Sequence, residues 1–404
     1  MSTSLLYHGW GLRGYRYRRT AFVDGGIEFM IEQNPDTLRC GDCGGRRVVR
    51  QGQVVRRFRA LPIGSKPVTL VLPIQRLWCA DCGKTRQVQV AFADERRSYT
   101  RAWARYALEL SRAMTILDVA RHLGVSWDVV KDLQKRHLQR RFKRRKLKHL
   151  KQLAVDEISI GKGQRYLTVV LDLLSGAVVF IGRGKSAAAL EPFWKQLRRA
   201  GAKIEAIASD MSAAYTLAIA EHLPRAVHVF DRFHVVKLFN DKLSDLRRQM
   251  QRSAEQIEHK EVLKGTRWLL LKNPENLDEQ RHERRRLEDA LRLNQPLACA
   301  YYMKEDLRQF WEQPGKRSAR CFLDDWIARA EVSGVRMLQK FAQTLQLHRR
   351  GLLAWYDHPI STGPLEGTNN KIKTMQRQAY GYRDQEFFKL KIFAIHEATY
   401  ALVG

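Results

Sequence analysis

The 404-residue sequence predicts a multidomain α/β protein: an N-terminal zinc ribbon, a helix-turn-helix, and a mixed-sheet core interrupted by a large all-helical insertion. Three observations carry this. Near-identical Cys-x-x-Cys-Gly turns stand at Cys40–Gly44 and Cys79–Gly83. The hydrophobic period turns helical near Tyr99. Short β-branched runs between Leu153 and Asp210 then give way to a helical stretch from Val235 to about Tyr356.

Composition narrows the function. Hydrophobic residues make up 44% and charged residues 28%, an ordinary globular balance that excludes wholesale disorder. Lys and Arg number 72 against 42 Asp and Glu, a net charge of +30. Such an excess points to a polyanionic partner, most commonly nucleic acid. Met1–Thr20 alternates Tyr, Trp, Gly and Arg and does not resemble a signal peptide. No apolar run approaches the roughly 18 residues a membrane span requires, so no membrane partner is expected. Six cysteines without a secretory signal argue for a reducing compartment, where paired Cys bind metal more often than they form disulfides.

Residues 1–95 form the zinc-ribbon segment, with an irregular start carrying one or two strands between Thr20 and Met30. Cys40, Cys43, Cys79 and Cys82 supply four thiolates to one tetrahedral Zn²⁺, and the Gly after each second Cys permits the tight turn. With every coordination position filled, this zinc is structural. A redox pair is the alternative for a single Cys-x-x-Cys, but not for two copies.

Residues 96–140 read as three helices: one from Arg101 to Leu108, one from Thr115 to Leu123, and one from Trp127 to Arg140. Thr115 and Asp118 have capping-box spacing, Gly124-Val125 makes a turn, and Ser126 is the expected cap of the third helix. Helix, short Gly-containing turn, helix is either a DNA reader or a plain helical hairpin. As a reader it exposes Lys131, Gln134 and Lys135 to bases or phosphates. Residues 141–150 are a basic linker; with the end of the preceding helix it offers Arg140, Arg141, Arg144 and Arg145 as phosphate clamps.

Residues 151–245 hold the first part of the core. Leu153–Ile160, Tyr166–Asp172 and Ala177–Ile181 read as a strand meander turned at Ser175-Gly176. Ala187–Ala200 is an amphipathic helix, and Ile204–Asp210 a returning strand. This order brings the ends of the first and fourth strands together, setting Asp156 beside Asp210. Two adjacent carboxylates need a cation, and oxygen-only ligands suit Mg²⁺ or Mn²⁺. Asp231, after the strand Val227–Phe230, competes with Asp210 for the second position, and His234 is either a donor to phosphate or carboxylate or a packed residue.

Residues 246–355 form the insertion, in which Trp268 either stacks on an exposed base or packs in the core, and Cys299 and Cys321 read as core residues. Residues 356–404 return to the core. There a helix starting near Leu365 carries Glu366 as a third acid or a cap, with Lys371, Lys373 and Arg377 for phosphate. Gly182-Arg183-Gly184-Lys185-Ser186 resembles part of a phosphate-binding loop, but Val179 stands where the first Gly belongs, so no nucleotide cofactor is expected.

Asp156-Glu157-Ile158-Ser159, Asp210-Met211, Phe230-Asp231-Arg232-Phe233-His234-Val235-Val236-Lys237 and Gly363-Pro364-Leu365-Glu366-Gly367-Thr368-Asn369-Asn370-Lys371-Ile372-Lys373 together resemble the motifs of bacterial ISL-three-type insertion-sequence transposases. The resemblance runs from about Cys40 to Ala398 and implies a ribonuclease-H-like core with a catalytic Asp, Asp, Glu triad on Asp156, Asp210 and Glu366. It also implies two Mg²⁺ or Mn²⁺ ions beside the one structural Zn²⁺, auxiliary roles for Asp231 and His234, and cleavage and strand transfer at terminal inverted repeats. The expected partners are double-stranded DNA, as repeats and as target, and further copies of the chain in a homodimer or larger assembly. The expected location is the bacterial cytoplasm, at the nucleoid. A DNA-binding regulator or a metal-dependent nuclease of the same descent are the alternatives; no acid is missing, which argues against the regulator.

Overall fold

The computed structural model describes residues 5–143, 145–161, 163, 165–253, 257–264 and 266–396. The chain separates into two compact units, one ending at Lys143 and one spanning 144–396.

The first unit starts with α1 (Leu5–Trp10) and a hairpin of β1 (Tyr15–Val23) and β2 (Gly26–Gln33). The hairpin turns at Asp24-Gly25, both at positive φ, the conformation that two-residue hairpins favour. The start thus carries two strands over the expected Thr20–Met30 stretch, but they are longer and a short helix precedes them. The long strands β3 (Val48–Ile63) and β4 (Lys66–Cys79) follow, then β5 (Thr85–Gln87), in the order β1-β2-β4-β3 with β5 on β4. Phe29, Ile31, Phe58, Leu70 and Leu72 form the core of this sheet. Next come α2 (Arg101–Ala113), α3 (Ile116–Leu123) and α4 (Trp127–Phe142), closed around Trp103, Val119, Leu123, Val130 and Leu133. Thr115 Oγ1 accepts from the Asp118 N–H at 3.1 Å, as its spacing predicts. Gly124, at φ +59°, ends α3. Ser126 precedes α4 but makes no side-chain cap bond.

In the second unit the sheet order is β10-β9-β6-β7-β8. The meander β6 (Gln152–Gly161), β7 (Arg165–Asp172), β8 (Val178–Arg183) is antiparallel. A short 3-10 turn at Ala187–Leu190 and α5 (Glu191–Ala200) cross to β9 (Ala206–Ser209), and α6 (Ala213–His222) leads to β10 (Val227–Phe230). β9 lies parallel to both β6 and β10. The expected single helix over 187–200 is thus split, with Pro192 in the first turn of α5.

Alternation along β6 sends its side chains to two cores. Leu153 and Val155 pack with Phe193, Trp194 and Ile219 of α5 and α6. Ala154 and Ile158 pack with Leu365 and Ile372 of α15 (Gly363–Gln378) and Phe388 of α16 (Gln385–Phe393), the last two helices of the chain. Both faces are covered, which is why these strands are apolar almost throughout. Leu147 and Leu150 are buried in the first of these cores, so the basic segment is not a free linker at its far end. Gly182 serves packing: a Cβ there would lie 2.4 Å from the Ala189 carbonyl oxygen.

The insertion runs through α7 (Arg232–Ser253), α8 (Ile257–Leu263), α9 (Arg267–Leu271), α10 (Glu283–Arg292), α11 (Gln295–Arg308), α12 (Lys316–Val332), α13 (Arg336–Leu347) and α14 (Arg349–Leu353). Its own core gathers Phe239, Trp326, Phe341 and Leu345. It seats on the sheet where Gly351 meets the Phe230 ring, which a Cβ would approach to 2.3 Å. Cys299 is half-buried and packs against the insertion's core, as the sequence suggested, whereas Cys321 is exposed and is not a core residue. No helix among the described residues is long and apolar enough to cross a membrane.

Candidate active site

The parallel register of β6 and β9 sets Leu153 opposite Ile207 and Ala154 opposite Ala208. Two residues further on come Asp156, still in β6, and Asp210, just past the end of β9, and the Asp210 charge acts on the Asp156 carboxyl. Asp156 lies in mid-strand rather than at the strand's end, because β6 continues along β7 after β9 has stopped at Ser209. Burial holds the Asp156 carboxyl above its ordinary pKa. The Glu157 N–H and the charges of His234 and Lys237 on α7 work against that, and the Asp210 charge adds to it. Such a carboxyl binds either a proton or a cation. Asp210 is oriented by the Ser212 N–H, 3.0 Å from its Oδ1.

Each corner of this site has a support. Asn369 Nδ2 on α15 donates to Asp156 Oδ2 at 2.8 Å. Before Asp210, the Ser209 hydroxyl donates to the Asp210 carbonyl at 2.8 Å, and His228 Nε2 lies 2.8 Å from the same hydroxyl. Ser209 has one hydroxyl hydrogen, so His228 is the donor and carries its proton on Nε2. Asp231 is 2% exposed. Its Oδ2 accepts from the Thr362 hydroxyl at 2.8 Å and the Phe233 N–H at 3.2 Å, and its Oδ1 from the Thr362 N–H at 3.2 Å. Asp231 thereby ties β10 to the start of α15, and its oxygens are occupied.

Glu366 is exposed in the first turn of α15, with exposed Lys371, Lys373 and Arg377 further along. Gln376 Nε2 donates to the Ile160 carbonyl at 2.6 Å, so α15 is pinned to β6 at two levels. The carboxylates are less tightly gathered than the thiolates. Among the described residues, only the four cysteines form a group of three or more metal-binding side chains whose ligand atoms lie within 4.8 Å of one another.

That cysteine group fits zinc. Cys40 and Cys82 Sγ are 3.7 Å apart, and Cys43 and Cys79 Sγ 3.6 Å. A tetrahedron of bonds of about 2.3 Å requires about 3.8 Å between sulfurs, and a disulfide about 2.05 Å. Both knuckles close alike, through Gly44 N–H to Cys40 O at 3.0 Å and Gly83 N–H to Cys79 O at 2.8 Å. Gly44 and Gly83 have φ of +73° and +66°. The N–H groups of Cys43 and Asp42 pull the Cys40 thiol down to about 7.

Comparison with known proteins agrees with this geometry. Residues 153–392 match a family model described as Transposase, of the ISL3 type. The chain belongs to the ISL3 family of transposases. Residues 88–138 match the helix-turn-helix domain of transposase family ISL3, and residues 36–82 the zinc-finger of transposase IS204/IS1001/IS1096/IS1165. The transposase for insertion sequence element IS1001 of Bordetella parapertussis is 37% identical over 390 residues, 95% of this chain and 96% of that one. The transposase for insertion sequence element IS1557 of Mycobacterium tuberculosis is 29% identical, covering 86% of this chain and 83% of that one. The Drosophila P element transposase strand transfer complex aligns with 74% of this chain and 92% of its own at 12% identity and a TM-score of 0.36, too distant to argue from. This transposase is thus a DNA-binding polynucleotidyl transferase of the DDE class with a structural zinc ribbon.

Several expected contacts are corrected. Gln134, expected on the exposed face of α4, is 4% exposed and packs inside the helix bundle. Arg145 is not a free phosphate clamp: its guanidinium donates to the Val179 carbonyl at 2.8 Å and to Gln196 Oε1 at 3.4 Å, 4.5 Å from the Phe393 ring centroid. Arg144 lies outside the described residues. Trp268 is 65% exposed, with the Arg267 guanidinium 4.8 Å over its ring, so core packing is excluded.

Four residues went unassigned in the sequence. Asn369 stands three after Glu366, a spacing that was open to reading. Lys237 follows His234 by three in α7. Glu157, on the opposite face of β6 from Asp156, accepts from the Tyr215 hydroxyl at 2.7 Å, and burial raises its pKa with help from Asp210 and Asp156. Thr362 carried no signal.

Two predictions follow from these geometries. Cys40→Ser or Cys79→Ser should release the zinc and lower the unfolding midpoint of the first unit, read by a colorimetric zinc assay and thermal unfolding. Burial, with His348 nearby, holds His228 down at about 4 from an unfolded value of about 6.5. The unfolded chain therefore takes up the proton first, and stability complete above about pH 6.5 is lost as pH falls toward 4, by up to about 3 kcal/mol. Urea midpoints at pH 7.5 and 5 should differ less in His228→Gln than in the parent.

Proposed function

We propose that Asp156, Asp210 and Glu366 are the catalytic carboxylates and together hold two divalent ions, Mg²⁺ or Mn²⁺, at the terminal inverted repeats of the element. The observation that supports this most is that Asp156 in β6 and Asp210, the residue after β9, follow the parallel pairing of these strands closely enough for the Asp210 charge to act on the Asp156 carboxyl. Glu366 joins them through α15: it stands one turn before Asn369, an axial distance of about 4.5 Å. The ions would supply the charge that acidifies the attacking water and neutralises the leaving 3′-oxygen. Asp231 is left out of the ligand set because Thr362 and Phe233 occupy its oxygens.

The chain's own residues do the rest. Lys237 brings positive charge from α7 to the reacting phosphate, His234 donates a hydrogen bond there, and Lys371, Lys373 and Arg377 grip the backbone along α15. The freed 3′-hydroxyl then attacks target DNA, exchanging one phosphodiester for another without a nucleotide cofactor. Trp268 stacks on an unpaired base, with Arg267 beside it. Lys131 and Lys135 on α4 serve the major groove and Arg140 and Arg141 the phosphates, while Gln134 and Arg145 are withdrawn from this role. Joining two element ends calls for a dimer or larger assembly on DNA, in the bacterial cytoplasm at the nucleoid.

The test is an assay with labelled element-end DNA, target plasmid and Mg²⁺. Asp156→Asn, Asp210→Asn and Glu366→Gln should each lower joining on the order of a thousandfold, since metal charge contributes several kcal/mol. Asp231→Asn should lose far less. Cleavage without joining in the parent would indicate a nuclease, and DNA binding without cleavage a regulator.

A further inference from the structure

The side chain of Asn369, 6% exposed, hydrogen-bonds the Asp156 carboxylate. A carboxylate only accepts, so the contact at 2.8 Å identifies the atom as Nδ2 and turns the amide oxygen the other way. That oxygen is buried without a hydrogen-bond partner. An orphaned buried acceptor is destabilising, and Leu, of similar shape, would avoid it on the buried side of α15 that also carries Leu365 and Ile372. Burial alone does not account for the amide.

We infer that Asn369 is a positioning residue for the metal-holding carboxylate. Its N–H fixes Asp156 Oδ2 and so commits the carboxylate's other oxygen, Oδ1, to the cation. A neutral amide suits the task better than Lys or Arg, which would also hold the carboxylate but cancel the charge that attracts the metal. The same residue couples the third acid to the first, because Glu366 and Asn369 are successive positions on one side of α15. Fixing Asp156 and docking the helix of Glu366 are therefore one contact.

This inference rests on the carboxylate triad proposed above, and the test separates the two. Mn²⁺ binding to the zinc-loaded 404-residue chain is measured by electron paramagnetic resonance, beside thermal unfolding, for the parent, Asp156→Asn and Asn369→Leu. Removal of a residue supporting a metal ligand typically weakens affinity 10–100-fold. Asn369→Leu should therefore weaken Mn²⁺ binding at least about tenfold, with an unchanged or raised unfolding midpoint. Its joining rate should fall while element-end affinity stays constant, and excess Mn²⁺ should restore part of the rate. Parent-like Mn²⁺ affinity in Asn369→Leu, or a loss that only tracks a lowered midpoint, would overturn the inference while leaving the triad standing. Parent-like affinity in Asp156→Asn would instead remove the triad beneath it.

Discussion

A buried carboxyl, Asp156 on β6, with a second acid, Asp210, just past the neighbouring strand, sets the terms for the second unit. The parallel pairing of β6 with β9 is itself well satisfied: apolar on both faces, closed by α5 and α6 on one side and by α15 and α16 on the other. Beyond it lies the Asp156 carboxyl, whose pKa burial raises, with the Asp210 charge adding, against the Glu157 N–H and the charges of His234 and Lys237. A folding domain gains nothing from that pair. Its surroundings are arranged to keep it: Asn369 on Asp156, Ser209 and His228 beside Asp210, and Asp231 on the loop that launches the Glu366 helix.

These supports are drawn from chain segments far apart in sequence, and that explains the layout. Thr362 lies 131 residues from Asp231, and Asn369 lies 213 from Asp156. The helical insertion between them has its own core and meets the sheet where Gly351 lies against Phe230. It can therefore be large without disturbing the register that matters. In the second unit the exposed cations Lys371, Lys373 and Arg377 follow Glu366 along α15; in the first, Arg140 and Arg141 are exposed at the end of α4.

Much of this was legible in the sequence, for physical reasons. Thiolates at Cys-x-x-Cys-Gly spacing have few uses, so the zinc ribbon could be read directly. β-branched runs bounded by Gly gave the meander, and the Thr115 and Asp118 spacing gave the start of α3. What escaped were properties of three-dimensional packing. Gln134 sits at a polar-looking helix position that tertiary packing buries. Arg145 looks like one of a run of cations, yet it is held by a strand carbonyl and an aromatic ring. Asp231 and Asp210 both follow short strands, and only the hydrogen bonds from Thr362 distinguish the occupied carboxylate from the available one. The Asp24-Gly25 turn was the opposite case, a strong local hairpin signal passed over.

The central claim is that cations sit on Asp156, Asp210 and Glu366, with Asp231 held back as a structural tie. The most direct measurement is anomalous scattering from crystals of the transposase with element-end DNA and Mn²⁺. The account predicts peaks in contact with Asp156 and Asp210 and extending to Glu366, with Asp231 still bonded to Thr362. Manganese coordinated by Asp231, or a site lacking Asp156, would contradict it.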